Sequence, residues 1–543
     1  MTPDPQHDTF DYLIVGGGSA GCVLAARLSE NPAVTVALLE AGGDGRDLAI
    51  RLPAGVVAML PARPFKYNNW AFETVPQPGL LGRCGYQPRG KALGGSSAIN
   101  AMLYARGHRS DYDDWAAAGA AGWSHAEVLP FFMRSEHNQR GPNEWRGVGG
   151  PLHVADQVSP HPVTQAFIEA CAQQGIAPNP DYNGQEQEGA YRFQVTQFHD
   201  PARRGQRCSA AAAFVHPVLQ RPNLTLLTRT HATRVLFEGR RAVGVQARQR
   251  GRHISLRARR EVVLCAGALQ SPQLLLLSGV GPPDELQRHG IPLVHRLPGV
   301  GQNLQDHLDL TLSYRSSRTD LFGIGFGAAW QQWQGWRQWR RDGSGLLSSP
   351  SAEGGAFWRS DAQQPRPDLQ LHFCIGIVDD HARKLHWGYG FSCHVCVLRP
   401  HARGRVGLRS ADPLAAPLID PAFLSDARDL HLLSRGAQQM REILLRSPLQ
   451  PWRGAPLYDE QLQGEVAWEQ LIRSRADTIY HPVGTCRMGA DEGAVVDAQL
   501  RVHGLQGLRV ADASIMPTLI GGNTNAPSIM IGERAAAWLQ AGA

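Results

Sequence analysis

The sequence predicts an α/β protein with two domains. One is a discontinuous, doubly wound layer of parallel strands and helices, and the other has an antiparallel sheet flanked by helices. Apolar segments typical of buried parallel strands recur in distant parts of the 543-residue chain, and alternating segments typical of antiparallel strands lie between them. The length agrees with this interpretation, because a chain of this size exceeds one ordinary core.

The first predicted unit lies at the N-terminus. Residues 11–15 (DYLIV) are a short apolar run with β-type residues, and GGGSAG follows at once. In the next segment, CVLAARLSE, apolar residues recur at helical spacing. Residues 34–39 (VTVALL) are almost continuously apolar, as expected for a strand covered on both faces. Together these segments predict a βαβ unit.

Later segments extend the same layer. Residues 261–267 (EVVLCAG) and 508–514 (LRVADAS) resemble further buried strands, and the helix-like PSIMIGERAAAWL follows the second. Between them, patterns such as DLQLHF and RVGLRS alternate, with the Pro and Gly punctuation of an antiparallel sheet. The predicted segments of the first domain are 9–155, 224–312 and 478–543, and those of the second are 156–223 and 313–477.

Composition and charge exclude several classes of protein. Hydrophobic residues at 43% and charged residues at 19% are ordinary for a globular protein, and a formal charge of +6 does not suggest a nucleic-acid partner. The opening MTPDPQHDTF lacks the basic and apolar regions of a signal peptide, so we expect none. No apolar run approaches the ~18 residues of a membrane span. These observations predict a cytoplasmic protein.

Cysteine usage predicts free thiols. The nine cysteines have no regular spacing, which indicates a reducing compartment. Cys393 and Cys396 form a CxxC pair, but they lie in FSCHVCVLR, which is typical of a buried strand and lacks the helix start of a redox dithiol. No HExxH motif or paired CxxC occurs, so we predict no metal site.

A glycine fingerprint follows the first strand. Gly16, Gly18 and Gly21 match G-x-G-x-x-G, in which the glycines permit a tight turn, close approach to a pyrophosphate, and close packing of helix on strand. The helix N-terminus then offers free N–H groups to the phosphates. Glu40 follows at the end of the next strand, where an acidic residue meets ribose hydroxyls and disfavours a 2′-phosphate. The unit predicts a dinucleotide cofactor but does not separate NAD from FAD.

Two longer segments make that distinction. Residues 90–107 (GKALGGSSAINAMLYARG) and 267–281 (GALQSPQLLLLSGVG) closely resemble the two signature segments of the glucose–methanol–choline (GMC) family of FAD-dependent oxidoreductases. The opening segment and LRPHARGRVGLRSADPLAAPLIDPAFL resemble its bacterial alcohol and choline dehydrogenase branch. The resemblance spans nearly the whole chain. It implies a discontinuous Rossmann-like FAD-binding domain and a substrate domain whose antiparallel sheet covers the flavin.

The resemblance also implies a set of cofactor contacts. Some relatives bind the flavin covalently through a histidine, but Ile99 occupies that position, so we expect non-covalent FAD. Asp512 has the alternative role of a cap or turn residue, and Asn525 that of a helix cap. Besides the three fingerprint glycines and Glu40, the implied contacts are Ser19, Ala41, Gly94, Gly95, Ser96, Asn100, Ala101, Val235, Ala266, Gly267, Asp512, Ala513, Asn525 and Pro527.

A catalytic pair is predicted near the C-terminus. In TIYHPVGTCRMG, Pro482 disfavours the α region for His481 and so biases its backbone toward extended geometry. Oxidising an alcohol requires a base for the hydroxyl proton, and histidine suits this task because its pKa lies near operating pH. By resemblance, Asn523 in GGNTNAPSIM is the second catalytic residue and hydrogen-bonds the substrate oxygen. The alternative for His481 is a structural, hydrogen-bonded histidine.

The substrate domain supports weaker predictions. Family resemblance implies a primary alcohol as the substrate and a quinone or another electron acceptor; an oxidase, a lyase and a non-catalytic flavin protein remain as alternatives. Glu353 is a conceivable partner for a choline-like ammonium group, or else a structural residue. The oligomeric state is not predicted.

One tryptophan-rich segment has two interpretations. WQQWQGWRQW places indoles at i, i+3 spacing, and the preferred interpretation is a helix that packs them on the protein. The second is a helix at the inner face of a membrane, with arginines at the lipid headgroups. The residues concerned are Trp330, Trp333, Trp336, Trp339, Arg337, Arg340 and Arg341.

Overall fold

The structure is a computed structural model that describes residues 8–62, 65–458 and 462–542. Residues 1–7, on which the signal-peptide expectation rests, lie outside the described residues. The α-helices of the described chain are α1 (Ser19–Leu28), α2 (Leu48–Arg51), α3 (Val56–Met59), α4 (Arg109–Ala117), α5 (His125–Ser135), α6 (Pro162–Ala172), α7 (Gly267–Leu277), α8 (Pro283–Arg288), α9 (Phe326–Asp342), α10 (Ala427–Leu444), α11 (Gly464–Arg475) and α12 (Asn525–Ala541).

The strands vary from two residues to thirteen. They are β1 (Thr9–Val15), β2 (Val36–Leu39), β3 (Phe72–Glu73), β4 (Tyr86–Gln87), β5 (Glu136–Asn138), β6 (Leu152–Val154), β7 (Gly189–Arg192), β8 (Leu224–Leu227), β9 (Thr230–Glu238), β10 (Arg241–Gln249), β11 (Arg252–Leu264), β12 (Val280–Gly281), β13 (His295–Arg296), β14 (Gln302–Leu304), β15 (Leu308–Ser316), β16 (Gly323–Ile324), β17 (Ala352–Trp358), β18 (Leu369–Cys374), β19 (Gly388–Val397), β20 (Gly404–Gly407), β21 (Leu418–Asp420), β22 (Asp477–Thr478) and β23 (Leu508–Val510).

The first large sheet confirms the predicted α/β layer. Its strand order is β8-β2-β1-β11-β10-β9, with β23 beside β11. Strands β8, β2, β1, β11 and β23 pair in parallel, whereas β9, β10 and β11 form an antiparallel extension. The predicted βαβ unit is β1, α1 and β2, and the two later segments form the end of β11 and β23. Parallel strands covered on both faces need continuous apolar sequence, which is why these segments were recognisable.

The second large sheet is antiparallel throughout, as expected. Its order is β22-β15-β19-β18-β17-β7, with β16 beside β19. The DLQLHF pattern forms β18, and the CxxC pair lies in β19 as two buried free thiols. RVGLRS instead contributes β20 to a small sheet with β14 and β21. Strand β15 begins at Leu308, so it crosses the segment boundary drawn at 312.

Helix α9 divides its tryptophans between core and surface. Trp339 is buried and its Nε1 donates to the Gly205 carbonyl at 2.9 Å, whereas Trp330 and Trp333 are 59% and 45% exposed. The two exposed indoles stack on each other at 4.7 Å between ring centroids. The preferred interpretation of this segment is therefore right for Trp339 and wrong for Trp330 and Trp333. None of the helices in the described part of the chain is long and apolar enough to cross a bilayer.

Candidate active site

A cavity lies between the carboxyl ends of the first sheet and one face of the second. The carboxyl ends of parallel strands meet at one edge of a sheet, so distant segments converge there. The loops after β1, β2, β11 and β23 supply Gly16, Glu40, Ala266 and Asp512 to the cavity wall. Strands β18 and β19 supply His372 and His394 from the opposite side.

The fingerprint glycines lie where close backbone approach requires them. Gly16 has a φ of +106°, and a Cβ there would meet the Cys265 carbonyl oxygen at 2.5 Å. A Cβ on Gly21 would meet the Gly16 carbonyl oxygen at 2.0 Å, which agrees with its expected role in packing α1 against the turn. Gly18 is the N-cap of α1 and offers no side-chain cap. The first N–H groups of α1 are therefore open to the cavity.

Glu40 lies at the end of β2 and lines the cavity. Its carboxylate accepts hydrogen bonds from the backbone amides of Gly17 at 3.1 Å and Gly42 at 2.7 Å. Burial raises the pKa of Glu40 to about 7, against the effect of these amides. A bound ligand with two adjacent hydroxyl groups, such as a ribose, would donate hydrogen bonds to this carboxylate in place of the water that burial excludes. The adjacent Ala41 also lines the wall.

A second glycine turn closes against the first. Gly94 and Gly95 have φ values of +97° and +53°, and Gly95 begins a short 3₁₀ helix. Gly95 and Ser96 line the cavity, and so do the predicted Asn100 and Ala101. A Cβ on Gly95 would meet Gly18 Cα at 2.7 Å. The two turns that face the cavity thus touch each other through backbone atoms.

A fully buried arginine, which the sequence analysis missed, holds the second turn. Arg207 donates from Nη1 to the backbone carbonyl oxygen of Asn100 at 2.5 Å and to its side-chain oxygen at 2.9 Å, and from Nε to the Ile50 carbonyl at 2.9 Å. Burial lowers the pKa of Arg207 to about 9. The guanidinium remains charged at neutral pH and ties three segments together behind the cavity.

The start of α12 gives the cavity a second helix N-terminus. Thr524 is the N-cap and makes no side-chain cap, while Asn525 begins the helix and accepts from the Ser19 hydroxyl at 2.8 Å. Ser19 and Asn525 both line the cavity. Pro527 lies in the first turn of α12, as predicted from its fixed φ. Two uncapped helix N-termini therefore face one cavity, an arrangement that favours negative charge on a ligand.

The location of Asp512 is compatible with both of the roles considered for it, a helix cap and a residue of the cavity wall. It caps the 3₁₀ helix that begins at Ala513, through the Ser514 amide at 2.8 Å, and it also lines the cavity with Ala513. Its other oxygen accepts from the Gly267 amide at 2.8 Å and the Ser271 hydroxyl at 2.6 Å. Burial raises the pKa of Asp512 above its usual value. Gly267 lies in the wall as well.

Four of the implied contacts do not line the cavity: Gly21, Gly94, Val235 and Pro527. Val235 is buried in β9, where its amide donates to the Ser278 hydroxyl at 2.9 Å. Thr230 and Ala232, earlier in the same strand, form the wall instead. The family resemblance implied a contact in this part of the chain, but it did not show which residues of β9 reach the cavity.

These features fit a flavin dinucleotide. The cavity joins a carboxylate suited to ribose, two uncapped helix ends suited to a pyrophosphate, and an end lined by imidazoles. Ile99 lines the wall and offers no nucleophile for a covalent bond. The chain's own residues therefore suit FAD.

We expect Gly95→Ala to weaken FAD binding at least about tenfold, because the added methyl would force the two turns apart. Gly239→Ala is the matched control, since Gly239 also has a positive φ, +60°, but a Cβ there meets nothing within 4 Å. Flavin fluorescence titration of the apoprotein measures both. Equal FAD affinity of the two variants would contradict a cradle formed by Gly95.

His481 and Asn523, 42 residues apart, meet at the end of the cavity that is lined by imidazoles. Asn523 Nδ2 lies 3.3 Å from His481 Nε2 and 3.4 Å from His372 Nε2. The Gln370 amide nitrogen lies 3.4 Å from Asn523 Oδ1 and orients the carboxamide. Burial lowers the pKa of His481 well below its usual value, and His307, His372 and Arg89 lower it further. At neutral pH the imidazole is uncharged and able to accept a proton.

A buried histidine behind His481 sets its tautomer. His307 Nε2 lies 2.9 Å from the Leu398 carbonyl oxygen, and His307 Nδ1 lies 2.9 Å from His481 Nδ1. A carbonyl only accepts, so Nε2 of His307 carries the proton and its Nδ1 accepts from His481. The proton of His481 is therefore on Nδ1, and the lone pair of Nε2 points at Asn523 and the cavity. Burial lowers the pKa of His307 to about 4, so it stays neutral.

The segment that carries His481 is held in a strained pose. Tyr480 has a φ of +78°, in the left-handed region that a bulky residue rarely adopts. Its amide donates to the Thr478 hydroxyl at 2.7 Å and its carbonyl accepts from Arg89 at 2.7 Å. The His481 amide donates to Asp306 at 2.9 Å. These contacts hold the turn so that His481 enters the cavity.

His372 and His394 are further cavity residues that the sequence analysis missed. They lie opposite each other on β18 and β19. Their only sequence signal was a polar residue inside an apolar strand pattern. Burial lowers the pKa of His372 well below its usual value. His394 Nδ1 lies 2.7 Å from Asp309 Oδ2, and this carboxylate raises the pKa of His394 to about 10 although burial alone would lower it.

Glu353 is structural. Its carboxylate is fully buried and accepts from the Ser349 and Thr164 hydroxyls at 2.7 and 2.8 Å and from the His161 amide at 2.6 Å. Every oxygen is thus engaged, and Glu353 is not among the described residues of the cavity wall. An ammonium partner at this position is excluded.

Three imidazoles cluster elsewhere in the fold. His137, His153 and His199 place one ring nitrogen each within 4.8 Å of the others. His137 Nδ1 already accepts from the Gly149 amide, and the His199 ring bonds the His137 carbonyl. None of the three belongs to the described cavity wall, so the cluster lies apart from His481 and Asn523.

Comparison with known proteins agrees with this geometry. The N-terminal and C-terminal models of the GMC oxidoreductases match residues 10–309 and 400–532. An alcohol dehydrogenase (acceptor) of Pseudomonas putida is 46% identical over 538 residues, which cover 97% of this chain and 95% of the relative. The mitochondrial choline dehydrogenase of Mus musculus is 42% identical, with 97% and 89% covered. The crystal structure of pyridoxine 4-oxidase from Mesorbium loti matches with a TM-score of 0.87 at 34% identity, with 98% and 99% covered.

Proposed function

This chain belongs to the family of GMC oxidoreductases, and from that membership we propose that it oxidises a primary alcohol to the aldehyde, with His481 as the base and Asn523 as the partner of the substrate oxygen. The observation that carries the proposal is the pair itself. The unprotonated Nε2 of His481 and the Asn523 carboxamide lie 3.3 Å apart in the cavity that suits FAD.

The two side chains divide the work on the hydroxyl group. His481 Nε2 takes the hydroxyl proton, and the Asn523 N–H donates to the oxygen as alkoxide character develops. FAD, when bound, supplies the acceptor for the hydride that leaves the carbon. Arg89, which lines the cavity and stays charged although burial lowers its pKa to about 10, adds positive potential near the developing negative charge.

The electron acceptor distinguishes the remaining candidates. We propose a quinone or a similar acceptor, because the relatives in the alcohol and choline branch are named dehydrogenases. An oxidase would use the same catalytic pair and release peroxide in air. A lyase would leave the flavin oxidised during turnover.

An anaerobic stopped-flow experiment tests the proposal. Primary alcohols, aldehydes, sugars and choline are mixed with the holoenzyme, and flavin absorbance is followed. Bleaching by a primary alcohol supports the dehydrogenase and excludes the lyase and the non-catalytic flavin protein. Stoichiometric peroxide in air would support the oxidase instead.

We also propose that the protein docks on the inner face of a membrane through an apolar patch, formed by Phe326, Trp330, Trp333, Leu385 and Trp387. Phe326 is 92% exposed, and Leu385 and Trp387 are 68% and 67% exposed. Phe326 and Trp387 are in ring contact at 6.1 Å. Soluble surfaces rarely expose so many large apolar side chains together.

Charge and position favour a lipid surface as the occupant of the apolar patch. Arg337 lies over the Trp333 ring at 5.0 Å, Arg340 follows on α9, and Lys384 adjoins Leu385. Aromatic residues bordered by cations suit the headgroup level of an anionic bilayer. The loop of Leu385 and Trp387 also supplies Val378 and Ala382 to the cavity wall. A docked protein would therefore present the cavity to the membrane, where quinones and long-chain alcohols reside.

Replacing Phe326 and Trp387 by glutamate is expected to weaken binding to phosphatidylglycerol-containing vesicles at least about tenfold. Oxidation of a water-soluble alcohol should be unchanged, because neither side chain lines the described cavity wall. Val466→Glu is the matched control, since Val466 is 81% exposed on α11, outside the apolar patch. Vesicle flotation measures binding, and equal binding by the double variant and wild type would refute the docking surface.

A further inference from the structure

We define the catalytic end of the cavity by His372, His394, His481 and Asn523. The carboxylates of the cavity wall lie outside this end. Among the described residues of the cavity wall, the carboxylates are Glu40 and Asp512. Both lie at the ends of first-sheet strands, and both already accept hydrogen bonds from backbone amides. Neither belongs to the catalytic end.

An ion pair at the catalytic end presents its cation to the cavity. His394 lines the wall, whereas Asp309 lies behind it and joins His394 Nδ1 through Oδ2 at 2.7 Å. The Thr311 hydroxyl lies 2.9 Å from the same nitrogen. Asp309 and His394 are both buried, so water screens the interaction between their charges only weakly. Whichever atom holds the shared proton, the pair brings no net negative charge to the substrate.

A second cation contacts the residue that precedes His481. Arg89 lines the wall and donates to the Tyr480 carbonyl at 2.7 Å. Asp306, a carboxylate that acts electrostatically on Arg89, is not among the described residues of the cavity wall and accepts from the His481 amide, the Thr478 hydroxyl and the Gln87 amide. The catalytic end therefore has cationic groups in its wall and carboxylates one layer behind them.

Aromatic rings do not provide an alternative binding site for an ammonium group at the catalytic end. An ammonium group without a carboxylate needs a cage of aromatic rings. The Trp and Tyr side chains in the described cavity wall are Trp70 and Tyr480. The Lys91 ammonium already makes a cation–π contact with Trp70, at 4.1 Å from the ring centroid. The Tyr480 hydroxyl forms a hydrogen bond with His381 Nδ1 at 2.7 Å.

The remaining wall beside the catalytic pair is mostly apolar, although Ser351 and Cys374 also line the cavity. The rest consists of small and aliphatic side chains from the second sheet and neighbouring loops, and none carries a charge. They are Met102, Leu103, Pro350, Ala352, Val378, Ala382 and Ile479. This surface suits the hydrocarbon part of an alcohol.

We propose that the catalytic end selects uncharged primary alcohols and rejects quaternary ammonium alcohols, because the His394–Asp309 pair and Arg89 leave it without a free anion. The inference rests on the proposed function and narrows its substrate class. It separates this chain from the choline dehydrogenases that are 42% identical to it.

Two isosteric alcohols test the selectivity directly. Choline and 3,3-dimethylbutan-1-ol have the same shape and differ in one atom, a cationic nitrogen in place of a carbon. We expect kcat/KM for the neutral alcohol to exceed that for choline by roughly 100-fold or more, since a buried charge without a partner is strongly disfavoured. A ratio within tenfold, or a preference for choline, would overturn the inference.

Two variants assign the effect to the ion pair. His394→Gln removes the cation and leaves the Asp309 carboxylate uncompensated, so the preference for the neutral alcohol should shrink at least tenfold. Asp309→Asn is the matched control: it removes the anion, and choline should gain nothing. FAD content and Tm are recorded for both. An unchanged ratio in a folded His394→Gln variant would remove the ion pair from the role assigned to it.

A binding measurement separates this inference from the proposed function. In the His481→Ala background, calorimetry gives the Kd of each alcohol without turnover. Choline that binds as tightly as its neutral isostere would overturn the selectivity even if alcohol oxidation holds. If neither alcohol bleaches the flavin of the wild type, the proposed function fails, and the two Kd values still decide whether the pocket rejects ammonium.

Discussion

His481→Ala is expected to lower the rate of flavin reduction by an alcohol roughly 100- to 10,000-fold, the range attributed to a positioned general base. The reason is local: Nε2 of His481 is the unprotonated atom that lies 3.3 Å from the Asn523 amide. The variant should retain FAD, because the fingerprint turn, Glu40 and both helix N-termini are unchanged. Anaerobic stopped-flow absorbance measures the rate, and the flavin spectrum measures FAD content.

The pH profile gives a second readout of the same residue. Burial holds the pKa of His481 well below its usual value, so the acidic limb of kcat/KM in the wild type should fall below about pH 6.5. A base is active above its pKa, so activity is retained as pH falls toward that limb and is lost on crossing it. His431→Ala, on the exposed face of α10, is the control and should keep both rate and profile. Wild-type-like reduction by His481→Ala would remove His481 from the mechanism.

His307→Leu is expected to lower the same rate roughly 100- to 1,000-fold, with a smaller change in KM. Leucine removes the acceptor for the Nδ1–H of His481, so the imidazole loses the contact that selects its tautomer and orientation. Loss of tautomer control in a buried catalytic imidazole is known to cost orders of magnitude in rate. His307 acts through His481 and is therefore a positioning residue.

A conservative variant distinguishes positioning from general damage. His307→Asn keeps an acceptor at the position of Nδ1, so it should recover at least about tenfold of the rate lost in the leucine variant. A structural role would instead lower Tm and FAD content in both variants without this recovery. Equal rates for His307→Leu and the wild type would show that His481 selects its tautomer without His307.

Local motifs made the cofactor half of the cavity predictable. Gly16, Gly18, Gly21 and Glu40 lie within 25 residues of one another, and one strand–turn–helix–strand unit orders them. The start of α12 at Asn525 was equally predictable, because Pro527 suits a first helical turn. The family resemblance was less accurate for β9: it implied Val235 as a contact, but Thr230 and Ala232 form the wall.

The sequence by itself predicted the α/β class, the two glycine turns, the location of Glu40 at the end of the second strand, and His481 as the candidate base. Each of these predictions depends on neighbours along the chain. Only the tertiary structure decided that His307, 174 residues away, sets the tautomer of His481, and that Asp309 and His394 pair across β15 and β19. The physical reason is strand register. A shift of one residue would turn Asp309 or His394 to the other face of the sheet. The pairing of β15 with β22 likewise places His307, directly before β15, beside the segment of His481. Long-range packing, rather than local sequence, selects this register.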